Sequence, residues 1–209
     1  MIRLDIFSDP VCPWCYLGKA NLDRALEAHP DHPFTIEWHP FQLAPLMPAE
    51  GVDRASYLLR IFGTQERTVA AHLRLEELGR EAGVTFNFAA IHKVPNTLDA
   101  HRMIHWAGLE GRQSAMVSAL FRAYWREGRD IGAQEVLADL AAEAGMDRAL
   151  ALRLLATDED KDAVRARETH ARQKGITAVP TFIVADQHVL SGAQPPKLWA
   201  QVIAELARG

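Results

Sequence analysis

Hydrophobic and polar positions alternate at the start of the chain and then change period. Residues 2–7 alternate in the way of a strand with one buried face, whereas the apolar residues between Leu17 and Leu26 recur at helical spacing. After a turn marked by prolines, residues 34–41 alternate again. The first part of the chain therefore predicts the order strand, helix, strand.

From about Asp53 to Thr157 the pattern changes, and no stretch has the character of a good strand. Apolar residues recur at helical spacing, and a glycine followed by an apolar residue ends several segments in the way of a Schellman cap. The apolar residues of the fourth segment fall on one face, which indicates core rather than a ligand-binding surface. The predicted helices span residues 53–62, 65–82, 97–108, 113–127, 133–144 and 147–155.

Mixed α/β character returns in the last part of the chain. A helix near residues 158–174 leads to a buried strand at 181–184, a hairpin partner at 188–191 and a terminal helix from about Pro195. We therefore predict an α/β fold whose two parts, residues 1–50 and 158–209, are separated by an all-helical insertion at residues 51–157.

Composition limits the class of protein. The chain has 209 residues, of which 48% are hydrophobic, and a net charge of −4, so we expect a globular protein with a sizeable core and no nucleic-acid partner. No apolar run approaches the length of a membrane span. A secretory signal is not expected either, because Asp5 and Asp9 interrupt the first apolar stretch. The sequence predicts a cytoplasmic protein without a membrane partner.

The two cysteines of the chain, Cys12 and Cys15, lie where the first strand gives way to the first helix. Pro13 suits the first helical turn, where a missing N–H costs nothing. Cys12 would then lie at the helix N-terminus, where unpaired N–H groups and the macrodipole stabilise an anion such as a thiolate. Cys15, one turn further on, is placed to form a disulfide with Cys12. This arrangement indicates a redox-active dithiol.

Two other interpretations of the cysteine pair are open. A structural zinc site needs four ligands, and histidines would have to complete it. His101 and His105 have a possible metal-binding spacing, although a polar helical face is the more usual reason for such a pair. A structural disulfide is also possible in principle, but such bonds are rare in cytosolic proteins. We assign no metal ligand.

Four blocks of sequence carry a family resemblance. Residues 8–19 read Ser-Asp-Pro-Val-Cys-Pro-Trp-Cys-Tyr-Leu-Gly-Lys, and further matches occur at residues 94–102, 175–182 and 191–195. In this order they resemble the DsbA-like oxidoreductases of the thioredoxin superfamily, in their FrnE-like cytosolic branch. Relatives of that branch are 2-hydroxychromene-2-carboxylate isomerase and kappa-class glutathione transferase. The resemblance implies a thioredoxin fold with an inserted helical domain.

Disulfide exchange needs a nucleophilic thiolate, a resolving thiol and a surface that receives the substrate. We assign Cys12 as the nucleophile, because it lies nearer the helix end and should be the more exposed, and Cys15 as the resolving thiol. The resemblance implies that Pro180 follows a cis peptide bond and faces the dithiol. The backbone of Val179 would then be free to pair with an extended substrate.

Further side chains are predicted to surround the dithiol. Asp5 and Asp9 are acids near it in sequence; Asp5 is a candidate for moving protons, and Asp9 is more simply a turn residue. Trp14 offers substrates an apolar ledge or has a packing role. The predicted substrate-binding residues belong to the dithiol turn, the strand before Pro180 and the insertion: Pro13, Trp14, Val179, Asn96, His101 and Arg102.

The predicted function is thiol–disulfide oxidoreduction with protein or small-molecule substrates. The alternative is a glutathione-dependent isomerase or transferase, but those relatives usually hold Ser at the position of Cys12 and an Asp in the loop matching residues 191–194, which here has no acid. A redox-inert binding module would leave the paired cysteines unexplained. No cofactor is assigned, with glutathione considered as a co-substrate. The substrate, the direction of electron flow and the oligomeric state, a dimer among the alternatives, stay open.

Overall fold

A mixed sheet forms the centre of the computed structural model, which describes residues 1–207. The strands in chain order are β1 (Ile2–Ser8), β2 (Phe34–Pro40), β3 (Val52–Asp53), β4 (Lys93–Val94), β5 (Thr181–Val184) and β6 (His188–Ser191). Four of them form the central sheet in the order β2-β1-β5-β6. β1 is parallel to β2 and antiparallel to β5, and β5 continues into β6 as an antiparallel hairpin. This is the predicted α/β arrangement.

The helices account for most of the remaining chain. They are α1 (Pro13–Ala28), α2 (Arg54–Phe62), α3 (Gln65–Ala82), α4 (Leu98–Leu109), α5 (Gln113–Phe121), α6 (Gln134–Glu143), α7 (Arg148–Leu155), α8 (Lys161–Gln173) and α9 (Pro196–Leu206). Within residues 1–207, no helix combines the length and the apolar character that crossing a bilayer requires.

The two faces of the central sheet bury different residues. Leu4, Ile6 and Phe182 are fully buried on the face that α1 and α9 cover, and Phe182 meets Trp199 edge to face. A smaller cluster that includes Phe7 lies on the opposite face, against α8. Both faces are therefore covered, as expected for a sheet whose strands carry apolar residues on both sides.

Side chains of the insertion form hydrogen bonds with the backbone of β2 and of the turn before α1. The Gln113 side chain of α5 accepts from the N–H of Trp38 at 2.8 Å and donates to its carbonyl at 3.0 Å, as a neighbouring strand would. The Trp125 indole donates to the carbonyl of Pro10 at 3.0 Å. Residues of the insertion thus hold both β2 and the turn that leads to the cysteines.

Two details differ from the sequence prediction. The predicted helix at 113–127 ends as α5 at Phe121 and continues as a π-helical turn at Arg122–Arg126. The insertion is not entirely helical, because β3 and β4 pair in an antiparallel ladder of two residues each. Strands this short produce no alternating pattern, so sequence periodicity could not reveal them. The division at residues 51–157 stays a prediction, and residues 208–209 of the last part lie outside the described residues.

Gly18 allows α1 to approach the loop before β5. A Cβ atom at this position would lie 3.0 Å from the Pro180 side chain and 3.3 Å from the ring of Phe182. Any larger residue would push the first helix away from the loop that faces the cysteines. Glycine is therefore needed here for close packing, although alanine is the better helix former.

We predict that Gly18→Ala lowers the free energy of unfolding by about 1 kcal/mol, because overpacking against a rigid proline outweighs the gain in helix propensity. Chemical denaturation measures the change. Gly108→Ala in α4 is the control, since its methyl group would meet only the Gln113 side chain. A Gly18→Ala protein more stable than the wild type would contradict the packing argument.

Candidate active site

Cys12 lies at the N-terminus of α1, as the sequence predicts. Its backbone is extended, with φ −90° and ψ 116°, and the helix begins at Pro13. The carbonyl of Cys12 accepts hydrogen bonds from the N–H groups of Cys15 at 3.1 Å and Tyr16 at 3.2 Å. No side chain caps this end of the helix. The positive end of the helix dipole therefore lies next to the Cys12 thiol.

Both cysteines are more enclosed than the sequence analysis expected for a nucleophile. The exposed fraction is 3% for Cys12 and 1% for Cys15. Cys12 is thus only slightly the more exposed of the two, and exposure hardly distinguishes the thiols. The difference between them lies in their surroundings, because Cys12 lines an open cleft and Cys15 does not.

Burial raises the pKa of the Cys15 thiol well above its usual value, and the neighbouring Cys12 raises it further. The nearby backbone of Asp9 and the hydroxyl of Ser8 oppose this effect on the pKa of Cys15. Because desolvation disfavours the thiolate, Cys15 is a protonated thiol at neutral pH. A thiol in that state is a poor nucleophile until its proton is removed.

The loop before β5 faces the dithiol. The Val179–Pro180 peptide bond is cis, as the resemblance implies. The Sγ atom of Cys12 lies 3.7 Å from the carbonyl oxygen of Val179, although 167 residues separate the two in sequence. Within residues 1–207 the backbone N–H of Val179 has no hydrogen-bond partner, and the preceding Ala178 is exposed. This edge is therefore available to an extended ligand.

An apolar cleft of about 460 Å³ opens above Cys12. The dithiol turn and the loop before β5 form its floor, and α2, α3 and the π-helical turn form its walls. Trp14 lies at the rim with 43% of its surface exposed. The lining residues from the walls include Tyr57, Leu58, Ile61, Phe62, His72, Leu75, Tyr124 and Trp125.

Sequence reasoning missed most of these wall residues. The apolar positions of α2 and α3 have the same helical spacing whether they face a core or a cleft. Several apolar side chains on the two helices stay exposed, Leu59 and Ile61 of α2 among them, at 53% and 58%. Hydrophobic periodicity identifies the helices, but only the tertiary arrangement shows which apolar face is left open.

A group of polar and aromatic side chains lies in the wall. His72 stacks on Phe88 with ring centroids 3.9 Å apart, and the Arg54 guanidinium lies 3.1 Å from Nε2 of His72. Burial and the charge of Arg54 lower the pKa of His72 to about 4. His72 is therefore neutral at pH 7. The Tyr124 hydroxyl donates to the carbonyl of Lys93 at 3.1 Å.

Asn96 and His101, two predicted substrate-binding residues, do not line this cleft. Asn96 donates to the carbonyl of Met47 at 2.6 Å and accepts from the N–H of Leu98 at 2.9 Å, so it fixes a loop and the start of α4. The buried Nε2 of His101 lies 3.6 Å from Oδ1 of Asp9. Neither atom has a hydrogen-bond partner in the described part of the chain.

Arg102, the third predicted substrate-binding residue of the insertion, is buried away from the cleft. The residue is fully buried, and its guanidinium donates to the backbone carbonyls of Leu154, Thr157 and Glu159 at 2.7 to 3.0 Å. It also pairs with Asp99 at 2.8 Å. This placement does not support the prediction that Arg102 binds substrate, because the buried guanidinium already donates to Asp99 and to carbonyls between Leu154 and Glu159.

The two acids near the dithiol in sequence have different positions. Asp5 lies on the sheet face opposite α1, where it accepts from His39 at 2.6 Å and from Arg3 at 2.8 Å. It is therefore not beneath the cysteines, since strand alternation turns it away. Asp9 is fully buried, and its Oδ2 accepts from the N–H of Leu43 at 2.7 Å, so it connects the dithiol turn to the loop after β2.

Asp5, Glu37 and His39 also form a group with the ligand types of a metal site, their ligand atoms lying within 4.8 Å of one another. Cationic side chains already compensate the two acids. Arg3 pairs with Asp5, and Arg167 pairs with Glu37 at 3.0 Å. The geometry therefore fits an ion-pair network on the back of the sheet.

Comparison with known proteins places this geometry in a family. The model of the DSBA-like thioredoxin domain matches residues 3–204. A curated relative, the uncharacterized protein YwbO of Bacillus subtilis, is 29% identical over 205 residues, which cover 98% of this chain and 96% of that protein.

Solved structures are similar over the whole chain. A probable DsbA oxidoreductase, SCO1869 from Streptomyces coelicolor, has a TM-score of 0.88 and 30% identity, with 100% of this chain and 91% of that chain covered. A 2-hydroxychromene-2-carboxylate isomerase has a TM-score of 0.74 and 17% identity, with 99% and 96% covered. The cytosolic disulfide reductase DsbM from Pseudomonas aeruginosa, solved with GSH, has a TM-score of 0.69 and 22% identity, with 99% and 100% covered. The last two similarities show the fold alone.

We predict different pH profiles of alkylation for the two thiols. In a Cys12→Ala protein, Cys15 should react with iodoacetamide at least about tenfold more slowly at pH 7 than Cys12 does in a Cys15→Ala protein, because burial keeps Cys15 protonated. The Cys15 rate should rise only at clearly alkaline pH. Mass spectrometry of timed samples gives both profiles, and equal rates at pH 7 would contradict the assignment.

We also predict that Arg102→Met destabilises the protein by about 3 kcal/mol, because it leaves buried carbonyls and Asp99 without their donor. Thermal unfolding measures this. Arg153→Met on α7 is a matched control that removes the same charge from a position without these contacts. Arg102→Met with normal stability and impaired substrate binding would restore the original assignment.

Proposed function

Because this chain belongs to the DSBA-like thioredoxin domain family, we propose that it is a thiol–disulfide oxidoreductase whose Cys12 and Cys15 alternate between dithiol and disulfide. One observation carries the proposal. The Cys12 thiol lies at a helix N-terminus, 3.7 Å from the Val179 carbonyl, on the floor of an open apolar cleft. A helix end favours the thiolate, and the cleft gives a substrate disulfide access to it.

The reaction proceeds by two thiol–disulfide exchanges. The Cys12 thiolate attacks one sulfur of the substrate disulfide, the substrate S–S bond breaks, and the first substrate thiolate leaves. Cys15 then gives up its proton and attacks the Cys12 sulfur, which releases the second substrate thiol. The substrate gains two electrons and the protein forms a Cys12–Cys15 disulfide. The same steps in reverse oxidise a substrate dithiol.

The loop before β5 would position the substrate. An extended peptide beside Val179 can accept a hydrogen bond from its free N–H group, in the manner of strand addition. Pro13 and Trp14, which line the cleft, would contact the residues that flank the substrate sulfur. This arrangement supports the proposed roles of Val179 and Pro180 in docking rather than in proton transfer.

The alternative, a glutathione-dependent isomerase or transferase, receives less support from the residues. The chain has Cys12 where such relatives usually have Ser, and the loop at residues 191–194 has no acid. The DsbM structure was solved with GSH, which supports glutathione as a thiol co-substrate of this protein as well. We also propose a cytoplasmic location, because the similar disulfide reductase DsbM is cytosolic.

Trapping the mixed disulfide tests the proposed function. Cys15→Ala incubated with glutathione disulfide should gain the mass of one glutathione at Cys12, because the resolving thiol is absent. Cys12→Ala should gain none at neutral pH, and the wild type should form an internal disulfide. Mass spectrometry of intact and reduced protein distinguishes the three products. An adduct on neither variant, with no internal disulfide in the wild type, would contradict the proposal.

A further inference from the structure

Asp9 and His101 bring two ionisable groups together in the interior, next to the dithiol turn. Asp9 is fully buried, and only 3% of His101 is exposed. Nε2 of His101 lies 3.6 Å from Oδ1 of Asp9, and neither atom has a hydrogen-bond partner among residues 1–207. Buried polar atoms are nearly always hydrogen-bonded, so two exceptions that face each other call for an explanation. The exchange reaction described above uses neither side chain.

The Asp9 carboxylate needs a compensating charge. Its Oδ2 accepts a hydrogen bond from the N–H of Leu43 at 2.7 Å, an arrangement that suits a carboxylate. An isolated buried ion is strongly destabilised, so a second, opposite charge is expected nearby. In the described part of the chain, His101 is the only basic side chain within 4.0 Å of this carboxylate. The compensating charge is then an imidazolium at His101.

The other basic groups of this part of α4 have partners of their own. The guanidinium of Arg102 pairs with Asp99 at 2.8 Å. His105, one turn further along the helix, lies 3.9 Å from a carboxylate oxygen of Asp160. Neither group is directed to Asp9, which leaves His101 as its counterion.

The charge of Asp9 reaches the cleft in which Cys12 would react. Burial raises the pKa of Tyr57 and of Tyr124, two residues of the cleft walls, and the Asp9 carboxylate raises both further. Both tyrosines are therefore neutral at pH 7. Asp9 also belongs to the same turn as Cys12, whose backbone N–H donates to the Asp9 carbonyl at 2.9 Å. Because a buried charge is weakly screened, an uncompensated Asp9 carboxylate would disfavour a thiolate at Cys12.

We propose that His101 sets the reduction potential of the dithiol, because its imidazolium cancels the negative charge of Asp9 and so permits a thiolate at Cys12. A stabilised thiolate stabilises the reduced protein and makes the disulfide more oxidising. His101 acts through Asp9 and is not itself a catalytic residue. The effect on the potential rests on the proposed function, whereas the charge pair itself does not.

The equilibrium with glutathione tests this role. Two glutathione molecules reduce the Cys12–Cys15 disulfide by two electrons and become one glutathione disulfide, so the equilibrium constant reports the stability of the reduced protein. His101→Gln keeps an N–H donor for Asp9 but removes the positive charge. Its equilibrium constant for reduction should be about tenfold lower than that of the wild type, which corresponds to a reduction potential about 30 mV lower.

A second substitution separates charge from packing. In the double variant His101→Gln/Asp9→Asn the carboxylate is gone as well, so the equilibrium constant should return close to the wild-type value. Damage to packing would instead accumulate when the second residue is changed. The control, His105→Gln, makes the same replacement one turn further along α4 and should leave the equilibrium constant unchanged.

Nitrogen NMR of protein labelled with nitrogen-15 at histidine measures the charge directly. At pH 7 one histidine of the wild type should have both ring nitrogens protonated and should be absent from the spectrum of His101→Gln. Asp9→Asn should convert this histidine to the neutral form, because a buried imidazolium without its carboxylate is destabilised. The comparison of the wild type with Asp9→Asn requires no redox activity.

The outcomes are distinct. An unchanged equilibrium constant in His101→Gln, or a lowered one that Asp9→Asn does not restore, would overturn the role of His101. If His101→Gln fails to fold, the spectra of the wild type and Asp9→Asn decide, and the lack of an imidazolium that depends on Asp9 would overturn the proposal. A wild type that forms no internal disulfide would overturn the proposed function, while such an imidazolium would still uphold the charge pair.

Discussion

The close contact between the start of α1 and the loop before β5 is the constraint on which the rest of the structure depends. β1 and β5 pair with Ile6 opposite Phe182, which brings the end of β1 next to the residues that precede β5. Gly18 lets the helix approach Pro180, and the Cys12 sulfur then lies 3.7 Å from the Val179 carbonyl. Without this contact the N-terminus of α1, the Cys12 thiol and the free backbone N–H of Val179 would not lie in one site.

Burial gives the two cysteines different chemical roles even though both are enclosed. Cys12 lies at a helix N-terminus and lines the cleft, whereas Cys15 is one turn inside, where desolvation raises its pKa well above the usual value. In the proposed reaction, a protonated Cys15 would attack Cys12 only after losing its proton, which would prolong the mixed disulfide. The Ser8 hydroxyl and the Asp9 backbone, which oppose the pKa shift, stabilise the Cys15 thiolate when it forms.

The features that the sequence predicted correctly depend mainly on residues that are close together along the chain. The strands of the central sheet, nearly all helices, the helix-end position of Cys12 and the cis bond before Pro180 follow from periodicity, the Cys-Pro-Trp-Cys turn or the family resemblance. The assignments that failed depend on tertiary surroundings. Arg102 belongs to a conspicuous sequence block, but the sequence does not show that its side chain is buried. Whether a charge has a counterion is decided by residues distant in sequence.

The walls of the cleft limit how its specificity can arise. An apolar wall such as that of α2 and α3 discriminates weakly between substrates, because one methylene changes binding by only about 1–3 kcal/mol. Polar groups that lose their partner with the wrong substrate discriminate far more strongly. The free N–H of Val179 is such a group at the edge of the cleft. Hydrogen bonds from Trp125 and Gln113 connect the insertion, which forms the walls of the cleft, to the dithiol turn and to β2. The walls are therefore attached to the same elements that position Cys12.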